Sequence, residues 1–408
     1  MNRVVLVSYH FPPYGGKAVQ RACKLAKYLP EYDWEPVIFT MPLNEKGVPM
    51  DNTLLDDLPS GIEIYRPEYW NIWRLVPHDI RKYIYNPLPD KYLSWANAVE
   101  HELITVVQKT GARSLISTSP THSAQILGLK AKEKTGIPWI TDFRDPWTGH
   151  PDFASKKHSG RMFDMETAVL EKADAVVGVY PKILHDFEGR VSSEKLHLIE
   201  NGYDEDDFRL VDWNGKAKDG ALWMGYNGTV SDFHDPQPFL APLESMVRDG
   251  GLDPDSLRVV FTTGESGKKR FTQYNALRET GVLVVHDYLP HAESLAALAE
   301  MDVSLHILTR GQNIYPGKIF EYFYLGNPVL SLSTPADDLD RLIGQTGSGS
   351  VVDYRNPDAV KDAVLELIEK KKKGELPRFS RTDEEISRYS RKNIAGRFAE
   401  ILMKITGK

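Results

Sequence analysis

The amino-acid sequence predicts an α/β protein with two Rossmann-like domains. Short apolar runs alternate with helical patterns in the first half of the chain, and a second series of this kind follows a polar stretch. Such alternation is typical of parallel sheets built from βαβ units. A chain of 408 residues also exceeds one ordinary hydrophobic core. We therefore expect an N-terminal domain over residues 1–205, a C-terminal domain over 206–382 and a last helix within 383–408.

The N-terminal series consists of apolar segments with strand character, separated by helical patterns. Strands are expected at residues 4–7, 37–39, 114–117, 138–141 and 175–179. Apolar residues at helical spacing predict helices at 18–29, 124–134 and about 160–172. The polar stretch at 204–220 comes next in the chain, and we interpret it as an interdomain linker.

The C-terminal series repeats the same alternation. Strands are expected at residues 221–226, 258–261, 282–285, 303–306 and 329–332. One continuous helix is expected over 383–405, because apolar residues recur there at helical spacing. This second series predicts a second parallel sheet.

The alternation fails between residues 62 and 95, where the chain is rich in aromatic residues. Basic residues are interleaved with them, including Arg66, Arg74, Arg81 and Lys82. Such a mixture can form an interfacial anchor or a pocket for a lipid-linked acceptor. We favour an insertion that packs its aromatic side chains onto the N-terminal domain, because the run has no clean amphipathic period.

Composition excludes several classes of protein. The formal net charge of −7 argues against a nucleic-acid partner, for which a basic face is expected. Cys23 is the single cysteine, so no internal disulfide can form and the cytosol is the expected compartment. The N-terminus has no signal-peptide pattern, and no apolar run reaches the length of a membrane span. We expect a cytoplasmic protein that can still contact the inner face of the plasma membrane.

The segment around Lys318 carries the strongest chemical signal. Pro316 and Gly317 interrupt the chain just before a helical pattern, so Lys318 is expected at a helix N-terminus. Unpaired backbone N–H groups and the helix dipole favour an anion such as phosphate at that end. Glu321 is expected one turn later on the same face. The pair fits a diphosphate and a sugar hydroxyl, and it is equally compatible with a surface ion pair.

Glycines follow the first expected strand of each domain. Gly15 and Gly16 follow the strand at 4–7, and Gly228 and Thr229 follow the strand at 221–226. Ligands of open α/β sheets bind at the carboxyl ends of strands, and glycine lets backbone N–H groups approach a phosphate or sugar closely. Tyr288 follows a later strand, where it is placed to flank a nucleobase. The spacing is that of neither a dinucleotide fingerprint nor a Walker loop.

Polar groups also follow two further strands of the N-terminal domain. Those after the strand at 138–141 are Asp142, Arg144, Asp145 and Trp147, and those after the strand at 114–117 include Ser119 and His122. Charged groups at this edge are costly to bury unless they are paired or contact a ligand. The other interpretation is a structural Arg–Asp pair, with His122 an ordinary residue at a helix start. No metal site or cofactor is expected, because the metal-ligand spacings are missing.

These residues together resemble the GT-B glycosyltransferases, within the large retaining family 4. The resemblance covers nearly the whole chain and rests on residues 11–16 (FPPYGG), 200–204 (ENGYD), 317–322 (GKIFEY) and 325–330 (LGNPVL). Residues 142–147 (DFRDPW), with Asp90 and Trp95 upstream, resemble a bacterial subgroup of surface-polysaccharide assembly. The resemblance implies two Rossmann-like domains facing across a cleft, with the last helix crossing back to the N-terminal domain.

The resemblance also implies an activity: a hexosyltransferase that moves a sugar from a UDP- or GDP-linked donor to a glycan or lipid-linked acceptor, with retention and without metal. Pro316, Gly317, Lys318 and Glu321 would bind the donor together with the glycines, Thr229 and Tyr288. Catalytic roles are expected for Lys318, Asp142, Arg144 and Asp145, and acceptor contacts for Ser119, His122 and Trp147.

Two departures from the family pattern concern the donor site. Glu321 matches the second acid of the family's E-x7-E motif, whereas Asn313 stands at the first. The Arg and Lys pair common after the first strand of the second domain is replaced by residues 229–234 (TVSDFH), so Lys318 would supply the missing charge. A nucleotide-sugar 2-epimerase of the same fold and a non-catalytic nucleotide-sugar-binding protein stay open as alternatives.

Overall fold

The computed structural model describes residues 1–45, 48, 50–70, 88–149, 159–213, 220–310, 314–380 and 383–407. The chain divides into two compact units. The first consists of Met1–Asn201 and Arg391–Lys408, and the second of Gly202–Ser390.

The first unit contains a parallel sheet of seven strands within the described residues. Its strands are β1 (Asn2–Ser8), β2 (Trp34–Phe39), β3 (Glu63–Tyr65), β4 (Ser114–Thr118), β5 (Trp139–Phe143), β6 (Ala175–Gly178) and β7 (Leu196–Leu198). They lie side by side in the order β3-β2-β1-β4-β5-β6-β7. The central strands β1 and β4 are buried at residues 4–8 and 114–118, as expected for a sheet covered on both faces. The order of the sheet reverses between β1 and β4, which makes that gap a topological switch point.

Helices connect these strands. They are α1 (Lys17–Tyr28), α2 (Leu93–Ala98), α3 (Glu100–Thr110), α4 (His122–Thr135), α5 (Ser159–Lys172) and α6 (Pro181–His185). Helix α4 ends at Gly136, whose φ of 71° lies in the left-handed region that glycine adopts without strain. Asp90 accepts hydrogen bonds from the backbone N–H and hydroxyl of Ser123, at 3.0 and 2.6 Å, in the first turn of this helix. The carboxylate thus satisfies one of the N–H groups that a helix start leaves unpaired.

The second unit contains a parallel sheet of six strands within the described residues. Its strands are β8 (Leu222–Asn227), β9 (Leu257–Thr262), β10 (Leu283–His286), β11 (Val303–Ile307), β12 (Val329–Ser333) and β13 (Gly349–Asp353). Their order, β10-β9-β8-β11-β12-β13, repeats the order of the first six strands of the other sheet. The switch point therefore lies between β8 and β11.

The helices of the second unit are α7 (Gln237–Arg248), α8 (Glu265–Lys268), α9 (Asn275–Glu279), α10 (His291–Ala299), α11 (Lys318–Leu325), α12 (Asp338–Thr346), α13 (Pro357–Lys373) and α14 (Glu384–Ser387). The hydrophobic core fills one face of the sheet, where side chains of α7 and α13 pack against alternate residues of β8, β9 and β11. Helix α11 ends at Gly326, with φ of 74°, in the 326–328 segment where the sequence predicts a helix end. Further short 3-10 helices lie at Leu29–Tyr32, Asn52–Leu55, Ser193–Lys195, Glu205–Phe208, Pro254–Ser256 and Lys269–Phe271.

The last helix, α15 (Arg391–Thr406), belongs to the first unit. Phe398 and Leu402 on α15 join the core of that unit, together with Leu25 on α1. The expectation of one continuous helix over 383–405 is wrong, because residues 388–390 separate α14 from α15. The helical spacing of the apolar residues holds on each side of this break but does not reveal it.

The predicted α/β class with two Rossmann-like domains is confirmed, and every strand expected from the sequence is present. Strands β3, β7 and β13 were not expected. Each is an edge strand with less burial than the central strands. The expected linker begins instead with the 3-10 helix Glu205–Phe208, in which Phe208 is buried. Of the aromatic stretch at 62–95, residues 71–87 lie outside the described part. None of the described helices is long and apolar enough to cross a membrane.

Candidate functional site

The switch point of the second sheet positions the residues around Lys318. Strands β8 and β11 are neighbours, and the chain leaves their carboxyl ends towards opposite sides of the sheet. The loop after β8 begins with Gly228, and the loop after β11 leads into α11, whose first residue is Lys318. Ligands of open α/β sheets bind in the crevice that such diverging loops form.

The side chain of Lys318 lies against the end of β8. Its Nζ donates a hydrogen bond of 2.9 Å to the backbone carbonyl of Asn227 and lies 4.2 Å from the centroid of the Tyr226 ring. The carbonyl dipole and the ring quadrupole both attract the ammonium. Gly317 caps α11 without a side-chain hydrogen bond and is exposed, whereas Pro316 is partly buried. A full positive charge and the N–H groups of the first helical turn therefore share one end of α11.

Gly228 leaves the space that the ammonium occupies. A Cβ at this position would lie 2.8 Å from Nζ of Lys318, and the φ of Gly228 is 136°, a conformation that residues with side chains rarely adopt. Thr229, the next residue, is exposed, and its carbonyl accepts a hydrogen bond of 2.9 Å from the Tyr226 hydroxyl. Burial raises the pKa of Tyr226, so the phenol stays neutral and remains a donor.

Glu321 is partly buried and faces a histidine. Its Oε1 lies 3.5 Å from Nε2 of His291, the first residue of α10. The same nitrogen lies 3.6 Å from Oδ2 of Asp207. Glu321 and Lys318 both lie within the first four residues of α11, as the sequence predicts. Asn313, at the first position of the acid motif, is outside the described residues.

Tyr288 is exposed, with 73% of its surface accessible. It follows β10, which is separated from β8 by β9. Tyr288 thus follows the carboxyl end of a strand, as Gly228 does, but that strand lies two positions away from β8. The expected contact of Tyr288 with a nucleobase stays a prediction.

Asp142 occupies a different environment from the one expected for a ligand contact. Its carboxylate is fully buried and accepts two hydrogen bonds of 2.9 Å from the guanidinium of Arg21 on α1, and a third of 2.6 Å from Thr118. Arg21 also donates to the carbonyls of Ile199 and Glu200. Both carboxylate oxygens are therefore engaged within the protein. The structural Arg–Asp pair describes Asp142 in this structure, although its partner lies 121 residues away in the sequence.

Arg144 connects the loop after β5 to the start of α1. Its Nη1 donates a hydrogen bond of 2.6 Å to the carbonyl of Ala18, and its backbone N–H donates to Oγ of Ser119 at 2.8 Å. Burial lowers the pKa of the guanidinium. Ala18 follows Gly16 by two residues. Arg144 and Ser119 therefore lie, like the glycine loop, at the carboxyl ends of the parallel strands. Asp145 is exposed to solvent there.

His122 and Trp147 form an aromatic pair. Their rings stack with centroids 4.9 Å apart and planes inclined by 12°. Trp147 is fully buried, whereas His122 is partly exposed at the start of α4. The structure thus brings together two of the three residues expected to contact an acceptor, with the imidazole as the accessible member.

The glycine loop is accessible at Gly16. This residue is exposed, has a φ of 90° and precedes α1, and no atom lies within 4 Å of the position that a Cβ would take. Gly15 is buried next to it. The positive φ favours glycine at residue 16, and the backbone there is open to a ligand at the start of a helix.

Three residues that shape these clusters, Arg21, Tyr226 and His291, are not among the site residues expected from the sequence. Tyr226 and His291 lie within segments that the strand pattern already places at the sheet edge. Tyr226 lies one residue before the end of β8, whereas His291 begins the helix that follows β10, five residues after His286. A search from each strand end to the start of the next helix would have included both. Arg21 gave no usable signal, because it lies on a helix between apolar positions and its partners are remote in sequence.

The sequence matches no family model and no curated protein significantly. The fold, in contrast, is similar to several solved structures over the whole chain. A sucrose-phosphate synthase from Thermosynechococcus elongatus superposes with a TM-score of 0.66 at 13% identity, covering 100% of both chains. The Anabaena protein HepE in complex with UDP gives a TM-score of 0.67 at 13% identity, covering 99% of this chain and 100% of HepE. A Listeria monocytogenes protein provisionally described as a UDP-N-acetylglucosamine 2-epimerase gives 0.56 at 11% identity, covering 98% of this chain and 96% of that one.

At these identities the likeness shows the fold, which is the GT-B type with two Rossmann-like domains. It does not by itself distinguish sugar transfer from epimerisation, because transferases and an epimerase share this fold. The distinction depends on the chemistry of the residues at the two switch points.

Proposed function

We propose that the protein is a glycosyltransferase that uses a nucleotide-sugar donor. One observation carries the proposal: the ammonium of Lys318 lies at the N-terminus of α11, beside the switch point, with Glu321 one turn further along. A diphosphate fits the positive end of the helix, and a ribose hydroxyl fits the carboxylate. The likeness to HepE, whose structures contain UDP or UDP and glucose, supports the same donor class.

Lys318 acts on the leaving group in this proposal. Sugar transfer from a nucleotide-sugar breaks the bond between the anomeric carbon and the diphosphate, and negative charge develops on the phosphate oxygens. Lys318 and the first N–H groups of α11 stabilise that charge, with no protein nucleophile required. Gly228 lets the backbone approach the phosphates, and Tyr288 flanks the base. Pro316 and Gly317 place the start of the helix.

The first unit provides the acceptor side in this proposal. Gly15 and Gly16 approach the sugar or phosphate, while Arg144 and Asp145 position hydroxyl groups. Of the three residues expected to contact the acceptor, His122 is accessible, whereas Ser119 and Trp147 are buried. His122 makes the contact in this proposal, with Trp147 stacked against its ring and Ser119 accepting the backbone N–H of Arg144. Asp142 takes a positioning role, because its carboxylate is bound to Arg21 and Thr118. This revises the catalytic role expected for Asp142 from the sequence.

The finer assignment rests on the motifs of the retaining family 4. We propose that the transferred group is a hexosyl unit and that its configuration is retained without a metal ion. The proposed acceptor is a glycan or a lipid-linked intermediate of surface-polysaccharide synthesis. A lipid-linked acceptor would bring the cytoplasmic protein to the inner face of the membrane.

Epimerisation of the nucleotide-sugar is the second candidate, and the likeness to the Listeria protein favours it. Such an enzyme would use the same nucleotide-binding residues without an acceptor. The fold and Lys318 fit both reactions, whereas the FRDPW segment supports transfer by resemblance.

The test measures the fate of the donor. The protein is incubated with UDP- and GDP-sugars, with and without a bacterial lipid extract, and both nucleotide release and donor configuration are followed. Nucleotide release that requires the extract supports transfer. Conversion of the donor to its C2 epimer without extract supports the second candidate, and donor binding without either reaction contradicts both.

A further inference from the structure

We propose that His291 is a pH-sensitive positioning residue for the donor site, and that it acts by holding Glu321 in place. The proposal rests on the proposed function, in which Glu321 binds the ribose. It depends on an arrangement that the motifs around Lys318 do not include: one imidazole nitrogen faces two carboxylates from different parts of the second unit.

The geometry places His291 between Glu321 and Asp207. Nε2 lies 3.5 Å from Oε1 of Glu321 on α11 and 3.6 Å from Oδ2 of Asp207 in the 3-10 helix Glu205–Phe208. The side chains are partly shielded, with 40% of His291, 23% of Glu321 and 18% of Asp207 accessible. The carboxylates repel each other when both are charged, and a charged imidazole between them removes that repulsion.

The charged groups described on the elements around His291 are mostly carboxylates. Helix α10 packs against the 3-10 helix, β8 and α11. The other charged side chains of the described residues on these elements are Glu205, Asp206, Glu293 and Lys318, and the buried Asp204 caps the 3-10 helix. Carboxylates outnumber the single cation, and β8 contributes no charged group. Nearby opposite charge favours the protonated ring.

Loss of the proton from His291 therefore changes the environment of Glu321. With the ring charged, Glu321 is held towards α10. With the ring neutral, its carboxylate is repelled by Asp207 and loses its attractive partner. The ribose contact then weakens, so nucleotide affinity is expected to fall as the pH rises through the titration of His291. Asp207 lies just after the chain enters the second unit, so the same ion pairs connect the donor site to that segment.

The first test follows the ion pairs directly. The protein is labelled with 13C-histidine, and the ring signal of His291, assigned by its loss in His291→Gln, is titrated by NMR. We expect Glu321→Gln and Asp207→Asn each to lower the titration midpoint of His291. His185, which is exposed and faces Glu188, serves as an internal control whose midpoint stays constant. An unchanged midpoint of His291 in both variants would overturn the proposal.

The second test measures UDP affinity by calorimetry at about pH 6 and about pH 8, on either side of the ordinary histidine titration. Because UDP itself titrates, the readout is the ratio of wild-type affinity to that of His291→Gln. The ratio is expected to fall about threefold from the lower to the higher pH, the effect of a partly exposed ion pair. His185→Gln is the matched control, with a ratio near one at both values.

The outcomes separate this inference from the proposed function. If UDP binds but the ratio of wild-type affinity to His291→Gln affinity does not change with pH, the role of His291 is overturned and the donor site stands. Failure of wild-type protein to bind UDP or GDP at either pH would overturn the proposed function and the donor role of His291 together.

Discussion

Replacement of Lys318 by methionine is the sharpest test of the donor site. Methionine keeps an unbranched side chain of similar size, so the space beside Tyr226 and Gly228 stays largely filled. The substitution removes the charge and the hydrogen bond of 2.9 Å to the carbonyl of Asn227. Any loss of activity is therefore attributable to the missing ammonium rather than to a cavity.

The structure sets the size of the effect. Loss of a charged hydrogen bond costs about 1.5–3 kcal/mol, which corresponds to roughly a 10- to 100-fold weaker nucleotide affinity if that bond is made to the diphosphate. Loss of a group that stabilises charge in the transition state lowers kcat by about 100- to 1,000-fold. The free energy of unfolding should change less, by about 1–2 kcal/mol, because one carbonyl contact and one contact of the cation with a ring are lost.

The assay measures UDP affinity by calorimetry and turnover by nucleotide release, with thermal unfolding as the check on folding. Lys372→Met is the matched control, because Lys372 is an exposed lysine of the same unit that faces Glu369. The control is expected to match wild type in all three measurements. Turnover of Lys318→Met within threefold of wild type would refute the reasoning (threefold being well below the effect of one stabilising group).

Three further predictions follow from individual contacts. Gly228→Ala should cost about 1–3 kcal/mol in unfolding free energy from its positive φ, and it should weaken UDP binding because its Cβ displaces the Lys318 ammonium; chemical denaturation and calorimetry measure both. Asp142→Asn leaves Arg21 buried without its counter-charge and should cost about 3–5 kcal/mol, detected as a lower midpoint of denaturation; an unchanged midpoint would contradict the pair's role. Burial raises the pKa of Asp90, so the stability it contributes is present below about pH 4 and lost as pH rises through its folded pKa. Asp90→Asn should remove that component from the pH profile of the unfolding free energy.

The fold was predictable because its signals are local. Central strands such as β4 and β11 are buried along their whole length and contain two or three Val, Leu or Ile residues, and helical patterns separate one strand from the next. Three of the four edge strands of the described sheets, β3, β7 and β13, were not predicted. β3 and β7 have only three residues each and partly exposed side chains. Pairing with a neighbouring strand, rather than residue type, makes them strands. The break between α14 and α15 was not predicted either, because the spacing of apolar residues continues through it.

The candidate donor site was predictable only in part. Lys318 and Glu321 are separated by three residues, so their relation follows from helix geometry. The contact of Lys318 with Asn227 spans 91 residues, and that of Arg21 with Asp142 spans 121. Sequence spacing carries no information about such pairs. For Asp142 this matters chemically, because a carboxylate at a strand end has the same sequence pattern whether it binds a ligand or an arginine.

Contacts within the protein hold the Lys318 ammonium in place. The carbonyl of Asn227, the ring of Tyr226 and the missing side chain of Gly228 all fix it at the end of β8. Electrostatic stabilisation is most effective when the charge needs no reorganisation during the reaction. In the family that the sequence resembles, an Arg and Lys pair is common after the first strand of the second domain. In this chain, residues 229–234 (TVSDFH) occupy those positions. We propose that the ammonium of Lys318, held by these contacts, compensates for that absence. Activity should then depend more steeply on Lys318 than on any other charged side chain that the structure describes in the second unit.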